Sequence, residues 1–290
     1  MLLVIEKAYA KINLALDVFA KRADGFHEVK MVMQSVDLFD NIFITEADGL
    51  HVQTVGAMLP DDESNIAYRA VQFICRYAKV KPSFNIKIEK NIPLGAGLAG
   101  GSADAAAVLR GVNRLYNLGF STAKLEELAA QLGSDVPFCI NGGTSLATGR
   151  GEIITPLTVA PAFDIVLANP GFEVSTGWVY KNFARSLVKE QPDVEKTIAA
   201  INAQDKDVLA VNIFNVLETV TVKEYPIIND IKKVMLENGA MSSLMSGSGP
   251  TVFALAEDKE AAGKIAKAVA IKTGAKVWVS KTRGSVKEDE

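Results

Sequence analysis

Residues 91–117 read NIPLGAGLAGGSADAAAVLRGVNRLYN, a glycine-rich loop that runs straight into an alanine-rich helix. Glycine lets the backbone approach a ligand closely, and the first turn of a helix presents N–H groups with no intrahelical partner and a partial positive charge. Together they form a phosphate cradle that needs no basic side chain; taken alone, the stretch also reads as an ordinary glycine-rich turn. Gly95, Gly97 and Gly100 satisfy G-x-G-x-x-G, but a lone match to that dinucleotide fingerprint is weak. A dinucleotide fold needs a strand ending at the first glycine and an acidic residue about 20 positions on. Here Asn91, Ile92, Pro93 and Leu94 intervene after FNIKIEK, and the later stretch LYNLGFSTAKLEE is a helix end followed by a new helix start. The Walker pattern fails by one position: Gly95, Gly100 and Ser102 fit, while Gly101 stands where the lysine belongs. The loop is expected to hold the phosphates of a nucleoside triphosphate by its backbone, with any catalytic lysine supplied from elsewhere.

With 290 residues, 49% of them hydrophobic, the chain can bury a large core in one domain or two. A net charge of −3 provides no basic field for nucleic acid or an anionic membrane. Anionic small molecules are the expected partners, met locally by helix ends and single cations. Cys75 and Cys139 lie far apart in apolar surroundings and read as buried thiols of a reducing cytoplasm. His27 and His51, without clustered cysteines, suit no zinc site. In MLLVIEKAYAK, Glu6 follows only a few apolar residues, so the stretch reads as neither signal peptide nor membrane span. A cytoplasmic protein, monomeric or weakly dimeric, is expected.

Along AYAKINLALDVFA, strict alternation predicts a half-buried strand, with Ile12, Leu14, Leu16 and Val18 on one face and Lys11, Asn13 and Asp17 on a polar working face. Asp24-Gly25 signals a hairpin turn. NIFITEA, LHVQTVG and FNIKIEK read as strands, and ESNIAYRAVQFICRYAKV and KLEELAAQLG as helices. FDIVLANP opens a second half of mixed strands and helices, in which MSSLMSGSGPTVFALAE is strand, glycine turn and strand. The mixture, with its antiparallel hairpin signals, predicts an α+β fold. The expected division is 1–154, 155–282 and a flexible charged tail over 283–290.

Three segments carry the remaining chemistry: AKINLALDV, GSDVPF and MSGSGPT. With the loop PLGAGLAGGSADAA they resemble, in order, the motifs of the GHMP small-molecule kinases, the superfamily named for galactokinase, homoserine kinase, mevalonate kinase and phosphomevalonate kinase. AKINLALDVFAKRADGFHE, GSDVPFCINGGTSLATGRGE and NPGFEVSTGWVY narrow the resemblance to the kinases of 4-diphosphocytidyl-2-C-methyl-D-erythritol, of the non-mevalonate isoprenoid pathway. The resemblance runs from about Ala8 to Thr282. It implies a two-domain fold, an N-terminal domain like ribosomal protein S5 and a ferredoxin-like C-terminal one. It also implies ATP as phosphoryl donor, with Mg²⁺, and a cytidine diphosphate-linked alcohol as acceptor.

Phosphoryl transfer is mostly positioning and charge stabilisation, so the acceptor hydroxyl needs a base or orienting acceptor and a nearby cation. The resemblance implies Asp135 for the first and Lys11 for the second. Read on their own, Asp135 also suits a helix N-cap and Lys11 a solvated strand lysine. The resemblance further implies ATP contacts along Pro93, Leu94, Gly95, Ala96, Gly97, Leu98, Ala99, Gly100, Gly101 and Ser102. Ser102 is a candidate Mg²⁺ contact, and Ala96 and Ala99 stand where some relatives carry glycine. Asp104 reads as a first-turn dipole partner. Asn65 is placed by adenine, with a plain helix start as the alternative. For the acceptor, Phe26 and Tyr180 are implied to sandwich the pyrimidine and His27 to meet its edge. Thr176, Asn13, Gly247 and Ser248 complete the expected substrate side. Phe26 departs from the tyrosine frequent among relatives and keeps stacking without the hydroxyl. No metal site built by the protein alone is expected. Another superfamily kinase, acting on homoserine or mevalonate, is the alternative, and those acceptors have no base to stack on Phe26 and Tyr180.

Overall fold

A computed structural model describes residues 2–189 and 192–286 of the chain. The first half runs β1 (Leu3–Lys21), β2 (His27–Glu46), β3 (Leu50–Val55), α1 (Ile66–Ala78), β4 (Phe84–Glu89), α2 (Gly100–Leu115), α3 (Thr122–Ala129), α4 (Val136–Asn141), β5 (Thr144–Thr148) and β6 (Ile153–Pro156). The second half runs β7 (Asp164–Asn169), α5 (Thr176–Asn182), α6 (Val194–Ala203), α7 (Lys206–Val211), β8 (Phe214–Asn215), α8 (Glu218–Glu224), α9 (Ile227–Glu237), β9 (Ser242–Met245), β10 (Val252–Ala256), α10 (Lys259–Thr273) and β11 (Lys276–Lys281), with a 3₁₀ turn at Arg185–Leu187 after α5.

Two sheets organise these elements. In the first, the order is β3-β4-β2-β1-β8, with β5 beside β2 and β6 beside β5; in the second it is β11-β7-β10-β9. Strand β2 is long enough to pair with β5 through Met31–Gln34 and with β4 through Asn41–Glu46. The hairpin predicted at Asp24-Gly25 joins β1 to β2, and Gly25 takes the left-handed φ of +87° that the turn requires. The second sheet is antiparallel throughout, with α9 and α10 packed on it, the ferredoxin-like order that the resemblance implies.

Strand β1 departs from its predicted pattern. Its pairing with β2 shifts register between Tyr9 and Lys11, between Asn13 and Ala15, and between Val18 and Lys21. A bulge inserts a residue and so exchanges the two faces. Leu16 and Val18 therefore join the core that holds α1 and α2, whereas Ile12 and Leu14 join a second core with Phe163, Ile165 and Leu167 of the other sheet's neighbourhood. The strand is not half-buried: Lys11, Asn13 and Asp17 are as buried as the apolar residues between them. Alternation exposes a face only where nothing covers it, and here helices cover one side and the second sheet the other.

The chain crosses between its halves more than a division at residue 154 suggests. Strand β6 continues to Pro156 on β5, and β8, from the second half, adds to β1 in parallel. The expected tail is also partly fixed. Arg283 donates its amide to the Ser35 carbonyl at 2.9 Å and accepts from Gln34 Nε2 at 2.7 Å, and Ser285 pairs with Gly142. The Ser35 main chain and Gln34 side chain of β2 and the main chain of the turn before β5 hold these residues; 287–290 lie outside the described residues.

Helix α2, which follows the glycine loop, sits close on the sheet because Gly111 has no side chain. A Cβ there would lie 2.4 Å from Ile44 Cδ1. Gly111→Ala gains about 1 kcal/mol of helix propensity against an overpacking cost of about 1–3 kcal/mol. Ile44→Val deletes the methyl that Gly111→Ala would strike. In urea titrations the double variant is expected to be more stable than the sum of the single effects by about 1 kcal/mol or more; strict additivity would place the contact elsewhere.

Candidate active site

The glycine loop is held from behind by segments far away in sequence. Val174 donates its amide to Gly95 O at 3.2 Å and Lys11 donates to Leu98 O at 3.1 Å; Ser246 Oγ donates to Gly97 O at 3.0 Å. Asp40 Oδ1, at the middle of β2, accepts the amides of Asn91 and Ile92 at 2.5 and 2.9 Å. The carbonyls of Gly95, Gly97 and Leu98 are thus occupied. Among the described residues, no amide from Gly95 to Ser102 donates to another loop or to a side chain. The loop, Leu98 excepted, and the start of α2 line a cavity of about 1200 Å³, and free amides beside such a cavity suit an anion. Gly95, Gly97 and Ala99 take left-handed φ values of +54°, +74° and +57°. A Cβ on Gly97 would lie 2.1 Å from the Ser246 carbonyl oxygen, so this position admits glycine alone. Ala99 carries the same backbone with a methyl group, a strain of about 1–2 kcal/mol concentrated at the ligand loop.

Lys11 and Asp135 converge beside this loop. Lys11 Nζ lies 3.7 Å from Asp135 Oδ2, with the lysine side chain 5% and the aspartate 30% exposed. Asp135 occupies the N-cap position of α4, yet its side chain makes no capping hydrogen bond and lines the cavity instead. Asn13 is fully buried and accepts from Lys11 Nζ at 2.7 Å, which points the ammonium toward Asp135. The glycine turn of the late motif closes over the pair: a Cβ on Gly247 would lie 3.3 Å from Lys11 Nζ and 3.0 Å from Gly97 O. Ser248 Oγ lies 2.9 Å from Thr176 Oγ1, tying this turn to the start of α5.

At the other end of the cavity His27 and Tyr180 face each other with ring centroids 5.6 Å apart, and Phe183 meets the imidazole edge-on at 6.5 Å. Burial, aided by the Lys21 charge, lowers the His27 pKa; the ring is therefore neutral near pH 7, able both to donate and to accept. Burial raises the Tyr180 phenol, and the Asp135 charge adds to this. The exposed ring of Phe26 carries the Arg150 guanidinium 5.1 Å from its centroid.

Every residue expected at the site lines this cavity except two. Asn13 is buried behind Lys11 and is a positioning group rather than a substrate contact. Leu98 is 1% exposed and turns its side chain into the inter-sheet core, leaving only its backbone in the loop. Asn65 Oδ1 caps α1 by accepting from Ala67 N at 2.9 Å, and the residue also lines the cavity. Sequence reasoning missed Arg150, Phe183, Glu173 and Lys90, which also line it. Arg150 stands in GTSLATGRGE, already part of a matched motif, and could have been found there; the others stand in no distinctive pattern.

Asp104, expected as a helix-dipole partner, belongs to a buried charge cluster. Lys90 Nζ donates to Asp40 Oδ2 at 2.5 Å and to Asp104 Oδ2 at 2.7 Å, and all three side chains are at most 2% exposed. Burial and the nearby Asp40 raise the Asp104 carboxyl, and the opposing charge of Lys90 holds it down. Burial works against the Lys90 charge, but the two carboxylates outweigh it and hold its pKa above the usual value. Asp104 Oδ1 has no hydrogen-bond partner.

Comparison with known proteins places this geometry. The family model described as GHMP kinases N terminal domain matches residues 65–143, and that described as GHMP kinases C terminal matches 190–276. The 4-diphosphocytidyl-2-C-methyl-D-erythritol kinase of Acetivibrio thermocellus is 48% identical over 257 residues, covering 88% of this chain and 91% of the relative. That of Geobacillus thermodenitrificans is 50% identical over 254 residues, 87% of each chain. A crystal structure of 4-(cytidine 5′-diphospho)-2C-methyl-D-erythritol kinase superposes with a TM-score of 0.82 at 32% identity, covering 97% of this chain and 100% of that one. Homoserine kinase from Cytophaga hutchinsonii shares the fold, with a TM-score of 0.77 at 21% identity over 98% and 95% of the two chains. The described residues contain no helix long and apolar enough to cross a membrane. The chain belongs to the 4-diphosphocytidyl-2-C-methyl-D-erythritol kinase family of the GHMP kinases.

Proposed function

We propose that this chain transfers the terminal phosphoryl group of ATP to the 2-hydroxyl of 4-diphosphocytidyl-2-C-methyl-D-erythritol. The observation that carries the reading is the meeting of Lys11, Asp135, the unpaired amides of the glycine loop and an aromatic cleft in one cavity. The loop amides and the start of α2 take the triphosphate, with Asn65 on the adenine side. Asp135 accepts the proton of the acceptor hydroxyl. The Lys11 ammonium stabilises the oxygen as negative charge develops on it, and Asn13 holds that ammonium in place. Phe26 and Tyr180 flank the pyrimidine while His27 meets its polar edge. Thr176 and Ser248 lie toward the diphosphate between base and acceptor. The alternative acceptors, homoserine and mevalonate, leave that aromatic end without a partner.

Mg²⁺ fits this site only as a companion of the nucleotide. Among the described residues no three His, Cys, Asp or Glu side chains gather to hold a cation, and Mg²⁺ commonly rides on substrate phosphates with one or two protein ligands. Ser102, at the first turn of α2, would supply such a ligand. The ion when bound would offset charge on the phosphates. We place the working state as a monomer or weak homodimer in the cytoplasm.

Asp135→Asn keeps the size of the side chain and removes the proton acceptor. ADP release that depends on the cytidyl acceptor is expected to fall by 10²-fold or more, with ADP affinity unchanged; retention of the native rate would remove Asp135 from the mechanism. Wild-type protein should release no ADP with homoserine or mevalonate.

Phe26→Ala deletes one stacking face. If stacking here resembles that in nucleic-acid complexes, about 1–3 kcal/mol per base, acceptor KM is expected to rise about 5- to 150-fold while ATP KM stays the same. Steady-state kinetics with each substrate varied separately distinguishes this from a general loss of folding.

A further inference from the structure

The glycine loop lacks the lysine of a Walker motif, yet a lysine lies beneath it. Lys90 Nζ would stand 3.3 Å from a Cβ on Gly100, the first residue of α2. It comes from the end of β4 and is clamped between Asp40 and Asp104. A buried ion cluster is poor evidence of stability, because apolar residues of similar volume often serve as well or better. This one has a reason of another kind. Asp40 is needed where it is, since its Oδ1 accepts the two amides that open the loop, those of Asn91 and Ile92. Asp104 is the fifth residue of α2, one turn in from its start, and its Oδ2 accepts from Lys90. Asp40 therefore helps build the loop, and both acids bring negative charge to the floor of a site that takes a triphosphate. Lys90 and Asp104 line the nucleotide end of the cavity themselves, and charge in a dry interior is poorly screened.

We propose that Lys90 is the buried counter-ion of the phosphate loop: it cancels carboxylate charge that the loop needs for its construction and that would otherwise oppose the nucleotide. It is not a catalytic residue, since its ammonium is buried and clamped between Asp40 and Asp104. The proposal rests on the reading of residues 95–102 as the nucleotide phosphate site.

Calorimetric titration of the full chain with ADP and Mg²⁺ tests the proposal by the signs of three variants. Lys90→Met leaves two carboxylates uncompensated and is expected to weaken ADP at least tenfold. Asp104→Asn keeps an amide oxygen that accepts from Lys90 and removes one acid; ADP affinity should equal or exceed wild type. Lys90→Met with Asp104→Asn restores the formal charge of the native cluster, and ADP affinity should return to within about threefold of wild type. Titration with cytidine 5′-diphosphate, a probe of the acceptor end, should be unchanged throughout. A purely structural role predicts the reverse pattern, with the double variant at least as weak as Lys90→Met and both ligands affected alike; that result overturns the proposal. Where Lys90→Met alone does not fold, the charge-balanced double variant decides, and a tenfold weakening in it overturns the proposal as well. Wild-type protein that does not bind ADP would overturn the phosphate-loop reading itself, a separate outcome from variants that bind like wild type.

Discussion

The structure depends on a loop whose carbonyls are used up so that its amides are not. A peptide unit offers one donor and one acceptor, and a buried acceptor without a partner is costly. The carbonyls of Gly95, Leu98 and Gly97 are met by Val174, Lys11 and Ser246, which arrive from the β7–α5 connection, from β1 and from the turn after β9. With those bonds made, the peptide planes are set and the N–H groups have only the cavity to face. The two halves of the chain are joined for the same reason, since the loop sits in the first half and two of its three supports come from the second.

This arrangement also explains why the reacting side chains lie where they do. The Lys11 amide holds the loop while the Lys11 side chain, buried and steered by Asn13, reaches Asp135. One residue thereby links the glycine loop to Asp135. The bulge between Tyr9 and Lys11 matters here. It sets Lys11 and Asn13 on the helix-covered side of the sheet while Ile12 and Leu14 remain in the inter-sheet core. The late glycine turn completes the enclosure, because Gly247 touches both Lys11 Nζ and the Gly97 carbonyl at distances where a side chain would intrude.

Much of this was legible in the chain before any coordinates. Gly95, Gly97, Gly100 and Ser102 announce an anion loop by spacing, and Asp24-Gly25 announces its hairpin, because both signals are local: they depend on φ values and helix starts that a few residues determine. The pairing of Lys11 with Asp135 came from the resemblance, since 124 positions separate them in the sequence and nothing local ties one to the other. What escaped were features created by packing. Alternation along β1 could not reveal that a second sheet covers its outer face, nor that a bulge exchanges the faces midway. Asn13 looked like a working-face residue because its type and spacing matched Lys11; only burial distinguishes the group that touches a ligand from the group that holds its neighbour. Asp40 and Lys90 each look like a surface charge at the end of a strand, and their roles appear only when the strands are paired.

The treatment of charge in this site follows from the loop's construction. A Walker lysine places its ammonium in contact with phosphate, so the cation moves with the ligand and must be re-solvated when the ligand leaves. In this chain the cations near the nucleotide are already neutralised within the protein, Lys11 by Asp135 and Lys90 by its two carboxylates. Attraction for phosphate then comes from backbone dipoles, which cannot titrate and require no reorganisation as product replaces substrate. Lys11 is the exception that chemistry requires. Its partner Asp135 is partly exposed and, in the proposed transfer, takes up the hydroxyl proton. In that proposal, neutralising the carboxylate frees the ammonium to stabilise the acceptor oxygen at the step where the charge appears.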